Sequence, residues 1–249
     1  MANVEYEVKG KLAYITLNRP EKLNAITLPM FDEIVSTCRR YNEDPDVWVA
    51  ILSGKGRAFC PGIDLTEQKP GQVINVDDVY FSILGVKKPL IAAVHGYCLA
   101  QGAGIAFCCD IRIAAEGTKF GWPQVKRGMS SISGPTFAAH HLPLNYAYEY
   151  LFTGELFDAQ EAYRFDLVNR VVPEDKLMST AEEMAGKILN NAPLAVQGMK
   201  EAIQMGIELP LPQRMHGAKL ILNRIKQTKD FQEGMLAFKE KREPVWRGE

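Results

Sequence analysis

Three short apolar runs constrain this chain most. Residues 12–17 (Leu-Ala-Tyr-Ile-Thr-Leu), 47–52 (Val-Trp-Val-Ala-Ile-Leu) and 89–94 (Pro-Leu-Ile-Ala-Ala-Val) are each strand-sized. A strand with one wet face alternates polar and apolar residues. The second and third runs are apolar throughout, the pattern of strands covered on both faces. Helical spacing separates them. Pro29 opens an amphipathic stretch through Phe31, Ile34, Val35 and Cys38 to near Tyr41, and residues 77–86 also read as a helix. Residues 102–109 are small and apolar, fit for a short buried helix, and 111–114 read as a strand. Strands alternating with helices imply an α/β fold with parallel strands joined by crossovers. Past Asn145 the pattern turns helical, over 145–152, 159–165, 175–190, 194–206, 212–228 and 231–242. We therefore expect an α/β core over residues 1–190 and a C-terminal helical region over 191–249, within one structural unit.

Composition removes several classes of function. The 29 basic and 30 acidic residues leave a net charge of −1, so no polybasic surface for nucleic acid is expected. Apolar runs are broken well short of the roughly 18 residues a membrane span requires. The start carries Glu5, Glu7 and Lys9 among apolar residues, unlike a signal peptide. Five cysteines without a CxxC pair and four scattered histidines argue against a disulfide framework and against a metal site. A reducing cytoplasm is the expected setting.

Four local patterns carry a family resemblance. They are Asn18-Arg-Pro-Glu-Lys-Leu-Asn-Ala25, Gly54-Lys-Gly-Arg-Ala-Phe-Cys-Pro-Gly-Ile-Asp-Leu65, Lys88-Pro-Leu-Ile-Ala-Ala-Val-His-Gly-Tyr97 leading into Cys109-Asp-Ile-Arg-Ile-Ala114, and Glu233-Gly-Met-Leu-Ala-Phe-Lys-Glu-Lys-Arg242. In order and at suitable separations, with Phe120-Gly121 and Thr153-Gly154 between them, they resemble the crotonase (enoyl-CoA hydratase/isomerase) family over about residues 5 to 245. The resemblance implies a spiral core of repeated ββα units and C-terminal helices that build homotrimers or hexamers. It also implies an acyl-CoA thioester as substrate, with coenzyme A as part of that substrate and no separate cofactor.

A thioester enolate needs two donors aimed at its oxygen, and backbone N–H groups serve with little reorganisation. By motif position these are the N–H of Ile63 and the N–H of Gln101, the latter at the start of a short helix whose dipole adds positive partial charge. Gln101 stands where the family usually has Gly. Pro61 has no N–H, but the donor lies two residues later. The resemblance also places Lys22 at a CoA phosphate and backbone near Leu23, Ala25 and Ala58 at the pantetheine and adenine. Phe238 and Lys241 match positions that reach a neighbouring subunit's CoA. As lone residues, both lysines would read as solvated surface charge.

Hydratases of this family use two glutamates as base and acid. Those positions hold Gly104 and Gln124 here, and neither side chain exchanges a proton near neutral pH. A third position, acidic in some relatives, holds Ile132, flanked by Ser131. Gly104 is expected to leave room for a larger substrate or an anion, and Gln124 to orient water or substrate. Tyr97 and Trp122 are candidates for the acyl pocket wall, although Trp122 also reads as packing. Ser130, Ser131 and Ser133 form a hydroxyl cluster or a turn. Asp64 reads as structural, His95 as a satisfied core histidine, His140-His141 as a core or subunit contact, and Asp110 as a strand anchor. Glu67, Asp77 and Asp78 fall in the loop and helix over the acyl pocket. The reading is an acyl-CoA lyase or isomerase with unusual acid–base groups, with decarboxylation of a malonyl-type thioester the best chemical fit. Double-bond shift, C–C hydrolysis and a non-catalytic acyl-CoA binder remain open.

Overall fold

A computed structural model of the chain describes residues 2–67 and 76–249. The stretch between Glu67 and Val76, part of the loop expected over the acyl pocket, lies outside them. In chain order the elements are β1 (Val4–Lys9), β2 (Leu12–Leu17), α1 (Leu28–Glu43), β3 (Val49–Gly54), α2 (Val76–Leu84), β4 (Leu90–Val94) and β5 (Tyr97–Leu99). Then come α3 (Gln101–Phe107), β6 (Ile111–Ala115), β7 (Lys119–Gly121), α4 (Ala139–His141), α5 (Leu144–Thr153), β8 (Phe157–Asp158), α6 (Ala159–Arg164) and β9 (Arg170–Val172). The long helices α7 (Leu177–Leu189), α8 (Pro193–Gly206), α9 (Leu211–Ile225) and α10 (Lys229–Glu240) follow.

The apolar runs become the centre of a six-stranded sheet ordered β1-β2-β3-β4-β6-β9. All its pairings are parallel except the β1–β2 hairpin. Alternate residues serve two separate cores. Ile15, Leu17, Ala50, Leu52, Leu90, Ala92 and Val94 face one. Val49, Ile51, Ile91, Ala93 and Ile113 face the other, which Leu177, Ala181 and Ala185 of α7 close. Two-sided burial is the reason these strands lack alternation. Strand β1 was not foreseen as a strand; its Val-Glu-Tyr-Glu-Val-Lys alternation is that of a sheet edge with one wet face. A second sheet of three strands, β5-β7-β8, stands apart from the first. Among the described residues no helix is long and apolar enough to cross a membrane.

Helix α2 turns Val76, Val79, Tyr80 and Ile83 to the core, an i, i+3, i+4, i+7 stripe. Helix α3 is buried from Gly102 to Phe107 and lies directly after β5. These two helices and the turns after β3 and before α3 frame the site.

Candidate active site

Two turns from different parts of the chain are joined by backbone pairing. Cys60 forms an isolated parallel bridge to Cys98. Cys60 N donates to Tyr97 O at 2.9 Å, and Leu99 N donates to Cys60 O at 2.9 Å. Three residues beyond each bridge partner stand Ile63 and Gln101, so the pairing sets them side by side. Gly62 N donates to Cys60 Sγ at 3.4 Å. Ile26 N donates to Gly62 O at 2.8 Å, and Asp64 N to Ile26 O at 2.9 Å, which leaves the intervening Ile63 N–H aimed away from that ladder. Among the described residues no acceptor takes the N–H of Ile63 or of Gln101.

Backbone at both turns is unusual. Gly62 has φ +108°, and a Cβ there would fall 3.0 Å from Ala100 Cβ, 3.1 Å from Gln101 Oε1 and 3.5 Å from Gln101 N. Gly62 thus packs closely against the Ala100–Gln101 peptide and the Gln101 side-chain oxygen, with no room for a side chain of its own. Ala100 has φ 51° and ψ −118°, a conformation that costs an L-residue about 1–3 kcal/mol. Its surroundings enforce it. Ala100 N donates to Gly121 O at 2.9 Å, and its carbonyl accepts from Gly104 N at 3.0 Å. Ser133 Oγ donates to the same carbonyl at 3.0 Å while accepting from Trp122 Nε1 at 2.9 Å. A buried tryptophan thus reaches the strained turn through one hydroxyl. Gly102 lets α3 press against the first turn, since a Cβ there would meet Cys60 O.

One turn along α3, Gly104 faces α2. A Cβ at Gly104 would lie 2.6 Å from Tyr80 Oη, 2.7 Å from Tyr80 Cε1 and 2.7 Å from Ser133 Cβ. The room expected beside Gly104 is therefore not empty: the Tyr80 ring takes it, edge-on to Phe137 with ring centroids 5.2 Å apart. Tyr80 is 4% exposed and its hydroxyl has no hydrogen-bond partner among the described residues. Burial pushes its pKa well up, and the nearby Ser133 hydroxyl only moderates that. The phenol is neutral at any physiological pH.

Matches to known proteins fit this geometry. Residues 7–249 match the model of the enoyl-CoA hydratase/isomerase family. The chain belongs to this family. It is 35% identical over 253 residues to the (E)-benzylidenesuccinyl-CoA hydratase of Thauera aromatica, covering 98% of this chain and 99% of that protein. It is 37% identical over 251 residues to the short-chain-enoyl-CoA hydratase of Clostridium acetobutylicum, covering 96% and 95%. The crystal structure of an enoyl-CoA hydratase from Bacillus anthracis superposes with a TM-score of 0.93 at 33% identity, over 99% of this chain and all of that one. The fold is thus the crotonase spiral that the four motifs suggested.

Within the enoyl-CoA hydratase/isomerase framework, the other expected residues fall as follows. Lys22 is exposed at the end of a short 3-10 turn (Pro20–Lys22), followed by Leu23 and Asn24, both with positive φ. Buried Asn24 ties that loop down. Its Oδ1 accepts from Arg19 N at 2.8 Å, and its Nδ2 donates to Lys55 O at 3.0 Å and Ala58 O at 2.7 Å. Asn24 thereby brings Ala25 and Ala58 together. Arg19 finishes the lock, donating to Ala25 O at 2.6 Å, Asp64 at 3.3 Å and Glu67 at 2.8 Å. Asp64 also accepts from Thr66, and this bond, with the guanidinium, holds its pKa below the usual range. Asp64 is structural, as read from the sequence, and Glu67 is engaged by Arg19.

Gln124 is buried with both amide atoms unpartnered, and it lines a cavity of about 260 Å³ with Trp122, Ser131 and Leu151. Ser131 sits 3.4 Å from Ser133 Oγ. Tyr97 is 44% exposed and Ile132 47% exposed, so both stand outside the buried cluster. Phe238 is 84% exposed on α10, and Lys241 caps that helix in the left-handed conformation. His95 bonds Gly56 O at 2.9 Å, and Asp110 accepts from Leu90 N at 2.8 Å and Lys200 at 2.7 Å, both structural as expected. The His141 ring stacks on Phe107. Sequence reasoning missed Tyr80 and Ala100. A tyrosine at a core position of α2 was visible, but its lack of a partner was not.

Proposed function

We propose that this protein binds an acyl-CoA thioester with its carbonyl oxygen between the N–H groups of Ile63 and Gln101, and that these amides stabilise the enolate. Membership of the enoyl-CoA hydratase/isomerase family supports the thioester substrate. The observation that carries the oxyanion role is the pair of unspent amides at paired turns, which the bare Gly62 lets approach closely. Folded chains rarely leave such donors idle. Donors already in place need no reorganisation as charge develops, and each is worth about 10²–10³ in rate.

Gly104 and Gln124 supply no acid or base. The chemistry that best suits such a site makes an enolate without a protein base. Loss of CO2 from a malonyl-type thioester does so, because the breaking bond leaves its electron pair on the α-carbon. Hydration is the second reading, favoured by the names of the similar proteins. In either reaction Gln124 would hold a water or an acyl oxygen by its amide, and Trp122 and Ser131 would shape that wall. The first loop would receive the CoA, with Lys22 at a phosphate and backbone of Leu23, Ala25 and Ala58 along the pantetheine and adenine. The bare apolar faces of α8 to α10 suit assembly with further copies as a trimer or a pair of trimers, which would carry Phe238 and Lys241 to a neighbour's CoA.

The test is a panel of malonyl-type, enoyl and β-keto thioesters given to the purified protein. Turnover of the malonyl type above the enoyl type supports decarboxylation, and the reverse supports hydration. Tight acyl-CoA binding with no turnover of any of them makes the protein a binder. Neither binding nor turnover overturns the reading.

A further inference from the structure

The proposed enolate, however formed, must take up a proton at its α-carbon, and the two usual carboxylate positions hold Gly104 and Gln124. Resting on that enolate reading, we propose that the Tyr80 phenol is the proton donor.

Three residues among those described carry buried side-chain polar atoms with no partner: Tyr6, Tyr80 and Gln124. Tyr6 lies on the edge strand β1 with Arg40 over its ring, away from the paired turns. The Gln124 amide does not ionise. Tyr80 remains, and its place is specific. Its Oη sits 2.6 Å from where a Cβ of Gly104 would be, so the phenol takes the space into which a side chain at 104 would begin. Gly104 and Gln101 are three residues apart on α3, and such neighbours share one helix face at about 5–6 Å. The α-carbon of a thioester is two bonds from its carbonyl oxygen. With that oxygen at the Gln101 amide, the α-carbon lies toward Gly104 and so toward Oη.

Packing does not explain the hydroxyl. The ring fills the space beside Gly104 and meets Phe137 edge-on, and a phenylalanine would do the same without desolvating an oxygen. Ser133 is the polar neighbour: its hydroxyl proton goes to Ala100 O and it accepts from Trp122, and its remaining lone pair faces the phenol outside hydrogen-bond geometry. The phenol proton therefore has no better acceptor in the free protein than this off-geometry Ser133 oxygen, and an acceptor that arrives with substrate can take it.

The step balances without a co-reactant beyond water. The Oη–H bond breaks and a Cα–H bond forms with the enolate electron pair, restoring the thioester carbonyl and leaving a phenolate. Water reprotonates the phenolate as product departs, and the hydroxide left behind passes to bulk solvent and its buffer. The enolate carbon is a far stronger base than a phenolate, so the transfer runs downhill even from a phenol that burial has weakened as an acid.

The experiment compares wild type with Tyr80→Phe on whichever thioester the wild type turns over. Turnover of Tyr80→Phe is expected to fall by about 10²–10⁴-fold, the usual worth of a positioned acid. Its acyl-CoA Kd should stay within about twofold, because the hydroxyl makes no ground-state bond in the free protein, and its Tm should not drop. In D2O, with an α-substituted thioester so that the labelled carbon is a stereocentre, the wild type should place deuterium at the product α-carbon in one configuration, and Tyr80→Phe should scramble it, since solvent can approach either face. A merely structural tyrosine would not change that configuration. Full rate with retained stereospecificity in Tyr80→Phe overturns the proposal. So does a loss of rate that tracks a loss of binding or of Tm. A wild type inert to every thioester removes the enolate reading and this donor with it, whereas an active wild type matched by Tyr80→Phe removes the donor alone.

Discussion

Around the Cys60–Cys98 bridge the chain is tied to itself through the backbone N–H groups of Phe59, Cys60, Asp64, Leu99 and Ala100, whereas α9 buries only Gly217 and Ile221 of its 15 residues. Unspent groups in the two regions therefore mean different things. In the first, the Ile63 amide lies unspent between two bonded neighbours, and the Gln101 amide opens the first turn of α3, whose N–H groups have no partner within the helix. In the second, exposed apolar side chains are the rule: Met199 and Ile203 on α8, Leu211 and Met215 on α9, and Phe238 on α10. A tight region with two idle donors suits a small ligand. A loose region with several exposed apolar side chains suits another protein surface, the association proposed above.

The sharpest attempt to break this contrast is Gly62→Ala. The new methyl crowds Ala100 Cβ and the Gln101 side-chain oxygen, beside the Gln101 amide, and forces an L-residue to φ +108°. Turnover should fall by about 10²–10³-fold, as when an oxyanion donor is lost. The exposed helices should be untouched, so the oligomeric state on sizing should not change. Unaltered turnover would mean that this close approach plays no part in the chemistry.

The reciprocal change is Met199→Glu with Ile203→Glu, i and i+4 on one exposed face of α8. In a lone chain these substitutions are nearly neutral in stability. Buried against another copy, they set unpaired carboxylates in an apolar interface. Light scattering should show the assembly reduced to monomers at micromolar concentration. A monomeric wild type would remove the proposed role of Phe238 and Lys241 and leave the paired turns unaffected.

A smaller effect is expected inside the tight region. Gly104→Ala places a methyl within 2.7 Å of Tyr80 and Ser133, and overpacking of this kind costs about 1–3 kcal/mol. Chemical denaturation should show that loss. In a double-mutant cycle, Tyr80→Ala should absorb most of it, because the two sites share the same space. Additive losses would separate Tyr80 from Gly104.

The same contrast accounts for what the sequence revealed. The sheet centre was legible because runs such as 47–52 and 89–94 are apolar on both faces, and burial acts through local composition. The pairing of two turns was legible only through motif resemblance. It depends on a Cys60–Cys98 bridge between residues 38 apart, and periodicity is blind to that. Strands β5, β7 and β9, three residues each, are too short for a period to declare itself. Tyr80 shows the deeper limit. Its helix stripe located the ring in the core, but only the arrangement of Gly104 and Ser133 makes its oxygen solitary.

The smallest effect concerns the seam between the two regions. Glu233 on α10 accepts from Arg242 at 2.6 and 2.9 Å and from Val245 N at 2.8 Å, anchoring a C-terminal tail whose Trp246 donates to Asn190 O at 2.9 Å. The Arg242 hydrogen bonds, aided by the Val245 amide, lower the Glu233 pKa from 4.5 to about 2. A carboxylate with a depressed folded pKa contributes stability that is complete above its unfolded value and lost as pH falls through the folded one. The tail should therefore stay docked at neutral pH and loosen as pH drops from about 4.5 toward 2, which the difference in fluorescence between wild type and Trp246→Phe would follow. Glu233→Gln should loosen the tail at neutral pH and flatten that acid transition. Because the pair is solvated, the change should be slight and should shrink further in high salt. A tail that remains docked in Glu233→Gln would assign the seam to buried Asp230, which accepts from Arg247 N and Gly248 N at 2.8 Å, and to Trp246.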